Sequence, residues 1–316
     1  MTSVTGATSS WTRAMSDTAI FEGIVVRAHG KSFIVRHNNQ DIPCKIRGRL
    51  RFKSDAVAAV AVGDDVEFAR DKEGAGVIEN IKPRRSMFFR PAKGNISKKQ
   101  VIAANIDQLA AVASVKNPPL KPGLIDRFLI SADIGNLTPL IIINKTDLDR
   151  PEILQELKRG YEAIKIPIYF VSAKSGEGLE YLTEALKGHR TIFAGHSGVG
   201  KTALINRLIP KLNLKEGEVS EHTDRGIHTT TVVELFELPR GGFVVDSPGL
   251  KVLGIWDLEK EDVVNHYPEF FEYAAACRFP GCAHGPEPDC AVKAAVESGR
   301  IPEYRYRSYL AIRESV

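Results

Sequence analysis

The chain has 316 residues, of which 43% are hydrophobic and 26% charged, and it carries a formal net charge of +4 at neutral pH. These proportions are typical of soluble globular proteins, and the length suits two or three domains, each with its own core. No apolar run approaches the roughly 18 residues of a membrane span, so we predict a cytoplasmic protein without a membrane partner. Residues 1–19 are rich in Ser and Thr without an apolar core, which predicts a disordered tail rather than a targeting peptide.

Positive charge is concentrated in two segments. Residues 20–53 contain eight Lys or Arg and two acids, and residues 82–99 contain seven Lys or Arg and no acid. Such runs often form ordinary solvated faces. Two of them near one end of the chain favour a polyanionic partner.

The N-terminal part of the chain predicts a small β-barrel over residues 20–82. Five short segments of alternating hydrophobicity are separated there by turn residues. Five strands in so short a stretch suit a closed barrel of OB type, and a five-stranded SH3-like barrel is the competing interpretation. Residues 83–100 are predicted to form a basic linker. The predicted strands are Phe21–Val26, Ser32–Val35, Ile42–Ile46, Val62–Phe68 and Gly76–Ile81.

Beyond the linker, apolar strands alternate with helical segments, which predicts an α/β domain with a parallel sheet over residues 101–255. Residues 256–316 are helical in pattern, aromatic and cysteine-bearing, which predicts a small third domain. The fold class is therefore multidomain. The six predicted strands of the α/β domain are Gln108–Val115, Pro139–Ile143, Pro167–Val171, Thr191–Ala194, Thr231–Leu238 and Gly242–Val245.

A glycine-rich segment between a predicted strand and a predicted helix indicates a phosphate-binding loop. Glycines let the backbone wrap around phosphates, while successive N–H groups and the helix N-terminus supply positive potential. Lys201 would bridge the outer phosphates and the Thr202 hydroxyl would bind Mg²⁺. We expect His196 to face solvent. The predicted loop consists of Gly195, His196, Ser197, Gly198, Val199, Gly200, Lys201 and Thr202.

A second motif, Asn144-Lys145-Thr146-Asp147, follows another predicted strand and indicates guanine recognition. Asp147 would accept hydrogen bonds from N1–H and the exocyclic amine of guanine, which adenine cannot donate, so we predict GTP rather than ATP. This motif precedes the phosphate loop, the reverse of the order in ordinary guanine-nucleotide switch proteins. We therefore predict a circularly permuted GTPase domain. The residues predicted to surround the base are Asn144, Lys145, Asp147, Ser172, Ala173 and Lys174.

The segment Asp246-Ser247-Pro248-Gly249 ends a predicted strand and is typical of a loop that senses the γ-phosphate. Asp246 would face Mg²⁺ through water, and the N–H of Gly249 would meet the terminal phosphate.

Residues 225–231 lie between the phosphate loop and Asp246, where a mobile switch would donate a hydroxyl to Mg²⁺. We favour Thr230 for this role over its neighbour Thr229; the alternative is a simple lead-in to a β-strand. Leu250 occupies the position of the glutamine that orients water in Ras-like proteins, which predicts slow intrinsic hydrolysis. His228 is the local candidate to replace that glutamine, although a lone histidine is more often a structural hydrogen-bonding group.

Three of the four cysteines cluster around a histidine with the spacing Cys-x4-Cys-x-His-x5-Cys. Cys277, Cys282, His284 and Cys290 form a closed tetrahedral donor set suited to structural Zn²⁺. A disulfide is the alternative, disfavoured by a reducing cytosol and by the histidine. Cys44, far away in a predicted barrel strand, is interpreted as a small core residue.

The segment 304–309 mixes tyrosine and arginine. Such a mixture is typical of an RNA-facing surface, or of an amphipathic helix packed on the zinc unit.

Together these residues resemble the ribosome small subunit-dependent GTPase A family (RsgA, also called YjeQ or YloQ). The resemblance covers nearly everything from residue 20 to the C-terminus. It implies an OB barrel, a permuted GTPase domain and a zinc-binding helical domain. It also implies GTP hydrolysis stimulated by the small ribosomal subunit, a role in maturation of that subunit, and rRNA contacts through the barrel and the zinc domain. Besides the nucleotide loops, residues 225–230, residues 246–250 and the cysteine set, it is carried by Val62-Gly63-Asp64, Ile81-Lys82-Pro83-Arg84 and Ala103-Ala104-Asn105-Ile106-Asp107.

Three interpretations follow. The leading one is a monomeric GTPase with Mg²⁺ that acts on the small ribosomal subunit and its rRNA. The second is an RNA-binding module in which guanine nucleotide is mainly structural, and the third is a signalling GTPase with a protein partner. We further hypothesise that loss of the γ-phosphate reorients the zinc domain, because the predicted switch loops lie just before it in the chain.

Overall fold

The computed structural model describes residues 19–30, 32–47, 60–71, 73–92, 95–214, 233–246 and 258–316. They form a β-barrel, a β-hairpin, an α/β domain and a helical C-terminal domain, in chain order. Among the helices in these ranges, none has the length and hydropathy that a membrane crossing requires.

The barrel has five strands and closes on itself. The strands are hydrogen-bonded in the order β1-β2-β3-β5-β4, and β4 returns to pair with β1. This closure confirms the OB-type prediction. Cys44 lies in the barrel core, and burial raises the pKa of its thiol to about 11, which supports its interpretation as a core residue. The strands are β1 Ile20–His29, β2 Ser32–His37, β3 Gln40–Ile46, β4 Asp65–Arg70 and β5 Gly76–Ile81.

The predicted basic linker over residues 83–100 has to be corrected. The chain forms an antiparallel hairpin here, with β6 at Met87–Ala92 and β7 at Asn95–Ala104. Phe88 and Val101 are buried on it. The linker was predicted from the abundance of basic residues, although short apolar runs in the same segment form the two strands.

The α/β domain is a six-stranded sheet with helices on both faces. Its order is β10-β9-β8-β11-β13-β12, and all pairs are parallel except β12 with β13. The six predicted strands are confirmed, with ends shifted by one or two residues. The strands are β8 Gln108–Ser114, β9 Thr138–Asn144, β10 Ile168–Phe170, β11 Arg190–Ala194, β12 Val233–Glu237 and β13 Phe243–Asp246. The helices are α1 Pro122–Ile134, α2 Ile153–Ala163, α3 Leu179–Leu186 and α4 Lys201–Leu208.

The barrel and the α/β domain share one continuous sheet. Strand β1 pairs antiparallel with β12, with Arg27 opposite Glu234 and Ala28 opposite Val233. The continuous sheet therefore has eleven strands. This connection joins strands about 200 residues apart in the chain, and sequence patterns gave no indication of it.

The C-terminal domain packs three short α-helices and a 3₁₀ helix around a small aromatic core. Tyr267, Phe270 and Tyr309 are buried there, and Ile130 of α1 belongs to the same cluster. The domain is therefore packed directly on α1 of the α/β domain. Its elements are the 3₁₀ helix Asp262–His266, α5 Pro268–Ala274, α6 Ala291–Glu297 and α7 Glu303–Arg313.

Candidate nucleotide site and metal cluster

The predicted phosphate loop joins the end of β11 to the start of α4, at the carboxyl edge of the parallel strands. Ligands of open α/β sheets bind at this edge. Gly200 adopts φ +92°, and a Cβ there would overlap Nδ2 of Asn144. A Cβ at Gly195 would overlap the carbonyl oxygen of Val112. Both positions require glycine, because the backbone of strand β8 closely approaches Gly195 and the side chain of Asn144 closely approaches Gly200.

Lys201 lies across this loop. Its Nζ donates to the carbonyl oxygens of Gly195 at 2.7 Å and His196 at 3.1 Å. Burial lowers the pKa of Lys201, and the charge of Asp246 opposes that shift. Asp246 is 8% exposed and ends β13, in register with Phe193 of β11. The lysine and the carboxylate thus lie at the same edge of the sheet.

Asn144 connects the loops that are predicted to bind the base and the phosphates. It is buried at the end of β9. Its Nδ2 donates to the carbonyl oxygen of Val199 at 2.9 Å, and its Oδ1 accepts from the backbone N–H of Ala173 at 3.1 Å. One side chain therefore fixes three loops relative to one another.

Lys145 and Asp147 of the same motif also make contacts with neighbouring loops. Lys145 donates to the carbonyl oxygen of Gly198 at 2.6 Å and to that of Asn117. Burial lowers the pKa of Lys145. Ser172 donates to Oδ1 of Asp147 at 2.6 Å, so the carboxylate is positioned by the neighbouring loop. Asn117 was missed by sequence reasoning, because it contributes only a backbone carbonyl.

The Cys and His side chains of the C-terminal domain converge on a point. The donor atoms of Cys277, Cys282, His284 and Cys290 all lie within 4.8 Å of one another. The sulfurs of Cys277 and Cys290 are 3.8 Å apart, and Nδ1 of His284 lies 3.6 and 3.4 Å from them. The cysteines are free thiols, so the disulfide alternative is not supported.

The separations in this cluster fit a tetrahedral metal ion. Bonds of about 2.3 Å to sulfur and about 2.05 Å to nitrogen place two sulfurs about 3.8 Å apart and sulfur and nitrogen about 3.6 Å apart. Burial lowers the pKa of His284, which favours the neutral imidazole that a metal requires. The donor set is closed and suits a structural ion.

Comparison with known proteins agrees with this geometry. Residues 81–256 match the RsgA GTPase family, and residues 22–78 match the RsgA N-terminal domain. The chain belongs to the RsgA GTPase family. Members of this family hydrolyse GTP. One relative, from Chlorobaculum parvum, is called small ribosomal subunit biogenesis GTPase RsgA; it is 41% identical over 303 residues, which cover 93% of this chain and 97% of the relative. A protein of the same name from Bacteroides fragilis (strain YCH46) is 39% identical over 93% of this chain and 96% of its own length.

Two solved structures share the fold of this RsgA family member. The crystal structure of YjeQ from Thermotoga maritima has a TM-score of 0.74 and 36% identity, covering 94% of this chain and 98% of that one. The structure of YloQ, described as a circularly permuted GTPase, has a TM-score of 0.69 and 29% identity, covering 96% of both chains. The predicted permuted architecture is confirmed.

The predicted residues divide into those that the structure brings together and those outside its described part. The predicted phosphate loop, Asp246 and the residues predicted to surround the base meet at one sheet edge. Among these residues, Lys174 is exposed and Thr202 is half-buried. His196 is exposed, as predicted. Thr230, His228, Gly249 and Leu250 lie outside the described residues, and their roles remain predictions.

The aromatic and basic segment of this RsgA protein lies on α7 and packs on the metal cluster. Tyr306 donates to the carbonyl oxygen of His284 at 2.7 Å, and Tyr309 donates to that of Ala283 at 2.7 Å. Both tyrosines thereby hold the loop that carries Cys282 and His284. Of the two interpretations of this segment, the structure supports the amphipathic helix.

Within the described part of the chain, most basic side chains of the two clusters form internal ion pairs. Seven of their Lys and Arg side chains lie in the described part of the chain, and six of these form salt bridges. Any polyanion therefore competes with acids of the protein for these side chains. The six are Arg27, Arg36, Arg47, Lys82, Arg84 and Arg85.

A buried ionic network between the GTPase domain and α7 was also missed by sequence reasoning. Arg305 is 2% exposed and donates to Asp126 of α1 and, at 2.6 Å, to Glu269 of α5. Its guanidinium lies 4.4 Å from the ring centroid of Tyr267. Although burial lowers the pKa of Arg305, the charges of Asp126 and Glu269 outweigh it and raise that pKa. The guanidinium therefore stays charged inside the domain junction.

Proposed function

We propose that this chain is a GTP-hydrolysing assembly factor of the small ribosomal subunit. The single structural observation that carries the nucleotide part is Asn144, whose side chain joins the phosphate loop to the base loops. The ribosomal part is supported by the relatives named small ribosomal subunit biogenesis GTPase, which align along nearly their whole length.

Guanine selectivity is assigned to Asp147. Its carboxylate would accept hydrogen bonds from N1–H and the exocyclic amine of guanine, and Ser172 holds it in place. Ala173 and Lys174 would close the loop over the base. Adenine presents an acceptor at N1 and leaves the carboxylate without a donor, so ATP is rejected.

The phosphate chemistry is assigned to Lys201, Thr202, Thr230, Asp246 and Gly249. Water attacks the γ-phosphorus, the bond to the β,γ-bridging oxygen breaks, and GDP and phosphate leave. Lys201 and the loop N–H groups stabilise the developing negative charge. Thr202, Thr230 and Asp246 would hold Mg²⁺, which neutralises phosphate charge when bound. The N–H of Gly249 would donate to the terminal phosphate.

The attacking water needs an orienting group. Leu250 stands where Ras-like proteins have glutamine, and a leucine side chain cannot bind water. Slow basal turnover follows. We propose that the ribosomal particle completes the site, with His228 as the candidate within this chain.

The metal of the Cys₃His cluster is proposed to be Zn²⁺. Three sulfurs and one imidazole nitrogen at tetrahedral spacing are a donor set that zinc prefers over magnesium or calcium. With four protein ligands the ion would have no open position, so its role is to stabilise residues 256–316. We further propose that the barrel and this domain contact rRNA, and that the protein acts as a cytoplasmic monomer.

Measurement of GTP turnover tests the proposal. Purified protein is assayed alone, with small ribosomal subunits and with large subunits, and ATP replaces GTP in a parallel series. We expect slow basal GTP hydrolysis that rises strongly with small subunits only. Asp147→Asn is the matched variant: it should lose GTP selectivity and gain turnover of xanthosine triphosphate, whose N1–H and 2-carbonyl suit an amide.

Two other outcomes would overturn the proposal. Turnover insensitive to every ribosomal particle, together with RNA binding that does not depend on nucleotide, would favour an RNA-binding module with structural nucleotide. Binding to a protein partner whose affinity does not depend on salt would favour a signalling GTPase.

A further inference from the structure

Four charged side chains follow one another across the sheet, from the barrel to the phosphate loop. Arg27 of β1 lies opposite Glu234 of β12, and Glu234 lies opposite Asp246 of β13. The charge of Asp246 in turn acts on Lys201 at the start of α4. The signs along this row are plus, minus, minus and plus. Two like charges are therefore neighbours in the middle of the row.

Glu234 and Asp246 lie on the same face of the sheet. Residues directly opposite each other in an antiparallel pair project to one face, with Cβ atoms about 5 Å apart. The next residues on this face are Phe236 of β12 and Val244 of β13, and both pack in one apolar cluster with Leu204 of α4. Both carboxylates thus project from the face on which the helix of the phosphate loop packs.

Two carboxylates directly opposite each other destabilise a sheet unless positive charge compensates them. On the barrel side, the guanidinium of Arg27 donates to Glu234, and this hydrogen bond raises the pKa of Arg27. On the other side, Lys201 supplies positive charge, and so does the Mg²⁺ that accompanies a bound nucleotide. The oxygen donors of Asp246 and Thr202 suit that ion, because Mg²⁺ is bound through one or two carboxylates and hydroxyl or phosphate oxygens.

We propose that Glu234 is a positioning residue for Mg²⁺, and that Arg27 of the barrel sets how strongly Glu234 acts on the ion. This inference rests on the proposed function, in which Asp246 faces the Mg²⁺ of a bound guanine nucleotide. The negative charge of Glu234 attracts a divalent cation beside Asp246, and the guanidinium of Arg27 cancels part of that charge. The side chain of Glu234 is 25% exposed and that of Arg27 is 51% exposed, so water weakens both charges without removing them.

A purely structural ion pair between the domains explains this arrangement less well. Such a pair has no need of the position opposite Asp246, and the barrel has another one in Arg36 and Glu237, 3.6 Å apart. Glu237 lies opposite Phe243, three residues from Glu234 and therefore on the other face of the sheet. The two pairs differ in whether the acid lies beside Asp246, which makes Glu237 the matched control.

The Mg²⁺ dependence of nucleotide release tests the proposal without measuring turnover. The full chain is loaded with a fluorescent GDP analogue, and the dissociation rate is followed while free Mg²⁺ is varied. We expect Glu234→Gln to raise the Mg²⁺ concentration of half-maximal effect about three- to ten-fold, the effect of one charge on a divalent ion across several ångströms of partly hydrated protein. Glu237→Gln should leave that concentration unchanged.

Variants of Arg27 separate its charge from its structural role. Arg27→Gln should lower the half-maximal Mg²⁺ concentration about two-fold or more, because Glu234 then acts without its counter-charge. Arg27→Lys keeps the charge and should restore the parent value. Arg47→Gln is the control, because the side chain of Arg47 is also 51% exposed and pairs with Glu79 inside the barrel. High salt should reduce the shifts at both Glu234 and Arg27, which a merely structural role would not produce.

Several results would overturn the inference. Equal effects of Glu234→Gln and Glu237→Gln, or no effect of either, would show that the position beside Asp246 has no role. Weaker Mg²⁺ binding in Arg27→Gln would show that the ion pair acts only by holding the strands together. A parent chain that binds no guanine nucleotide, or releases it independently of Mg²⁺, would overturn the proposed function itself, and this outcome is seen before any variant is compared.

Discussion

The barrel and the metal-binding domain are attached to the GTPase domain by different kinds of contact. The barrel side uses a strand edge, where β1 pairs with β12 and the half-exposed Arg27 bridges to Glu234. The metal side uses a buried ionic network, in which Arg305 joins Asp126 of α1 to the C-terminal helices. An exposed ion pair rearranges at little cost, whereas a buried charge network is lost only at high cost. Val26 and Val62 of the barrel also pack in the main apolar core, so the two junctions differ in their ionic contacts and not in whether they are buried.

This difference bears on the hypothesis that loss of the γ-phosphate reorients the metal-binding domain. Strand β12 directly follows residues 215–232 in the chain, which include the predicted switch residue Thr230. A change there reaches the barrel through a single strand. Movement of the metal-binding domain would require either that α1 moves with it or that Arg305 leaves its partners. The predictions below test each junction in turn.

Loss of the metal should have the largest effect. Cys290→Ser removes one ligand, and apparent binding energies of structural zinc are about 10–16 kcal/mol at neutral pH. We expect residues 258–316 to lose cooperative folding, while the GTPase domain still binds GDP. Metal content and hydrogen exchange of α5 to α7 measure this. Cys44→Ala is the matched control and should keep one equivalent of zinc. A Cys290→Ser protein with full zinc content and unchanged exchange would contradict the assignment.

Removal of the buried guanidinium should come next. Arg305→Met leaves Asp126 buried without a cation, and breaking a buried pair in this way costs about 3–5 kcal/mol. Denaturant unfolding measures the loss. Arg307→Met, two residues away and paired at the surface, is the control and should cost less than about 1 kcal/mol. Equal losses in both variants would show that Arg305 has no special role at the junction.

Local sequence patterns predicted well which residues meet in the structure. The predicted phosphate loop, the Asn144–Asp147 motif and the Cys₃His set each lie within a short stretch, and their roles remain predictions. A local pattern could not predict the burial of Arg305, because the alternation of tyrosine and arginine in 304–309 is typical of an exposed surface. Its burial depends on Asp126, 179 residues earlier in the chain. The pairing of β1 with β12 depends in the same way on how two domains meet.

The hairpin over 83–100 shows a second limit. Charge dominated the segment and predicted a linker, although Met87, Phe88 and Phe89 form an apolar run. The family motif residues in this part serve packing. Asn105 donates to the carbonyl oxygen of Gly63 at 3.1 Å, and its own Oδ1 accepts from the N–H of Arg85 at 3.0 Å. Such contacts have no signal in a single sequence.

On the barrel side, the contact expected to matter most is Arg84 with Asp64. Two guanidinium nitrogens donate to the two oxygens of Asp64, at 2.7 and 2.8 Å, and this carboxylate is fully buried. Arg84→Ala should cost about 1.5–3 kcal/mol, the usual contribution of hydrogen bonds to a charged group. Denaturant unfolding is again the measurement. Arg85→Ala, whose side chain is 53% exposed, is the control and should cost less. A loss from Arg84→Ala no larger than the control would show that Asp64 is satisfied without it.

The smallest change in stability is expected at the sheet connection itself. Glu234→Gln removes the charge opposite Arg27, and an exposed pair of this kind is worth about 1 kcal/mol or less and is screened by salt. This variant also tests whether a change of bound nucleotide is transmitted to the barrel through β12. If the barrel follows the nucleotide through β12, the amides of Arg27 and Ala28 should exchange at different rates in the GDP and GTP-analogue states, and Glu234→Gln should reduce that difference. Glu237→Gln, whose partner Arg36 lies 3.6 Å away, is the control with a looser pair. Identical exchange of β1 in both nucleotide states would mean that the barrel does not respond through β12, and the metal-binding side would again be the candidate for the moving junction.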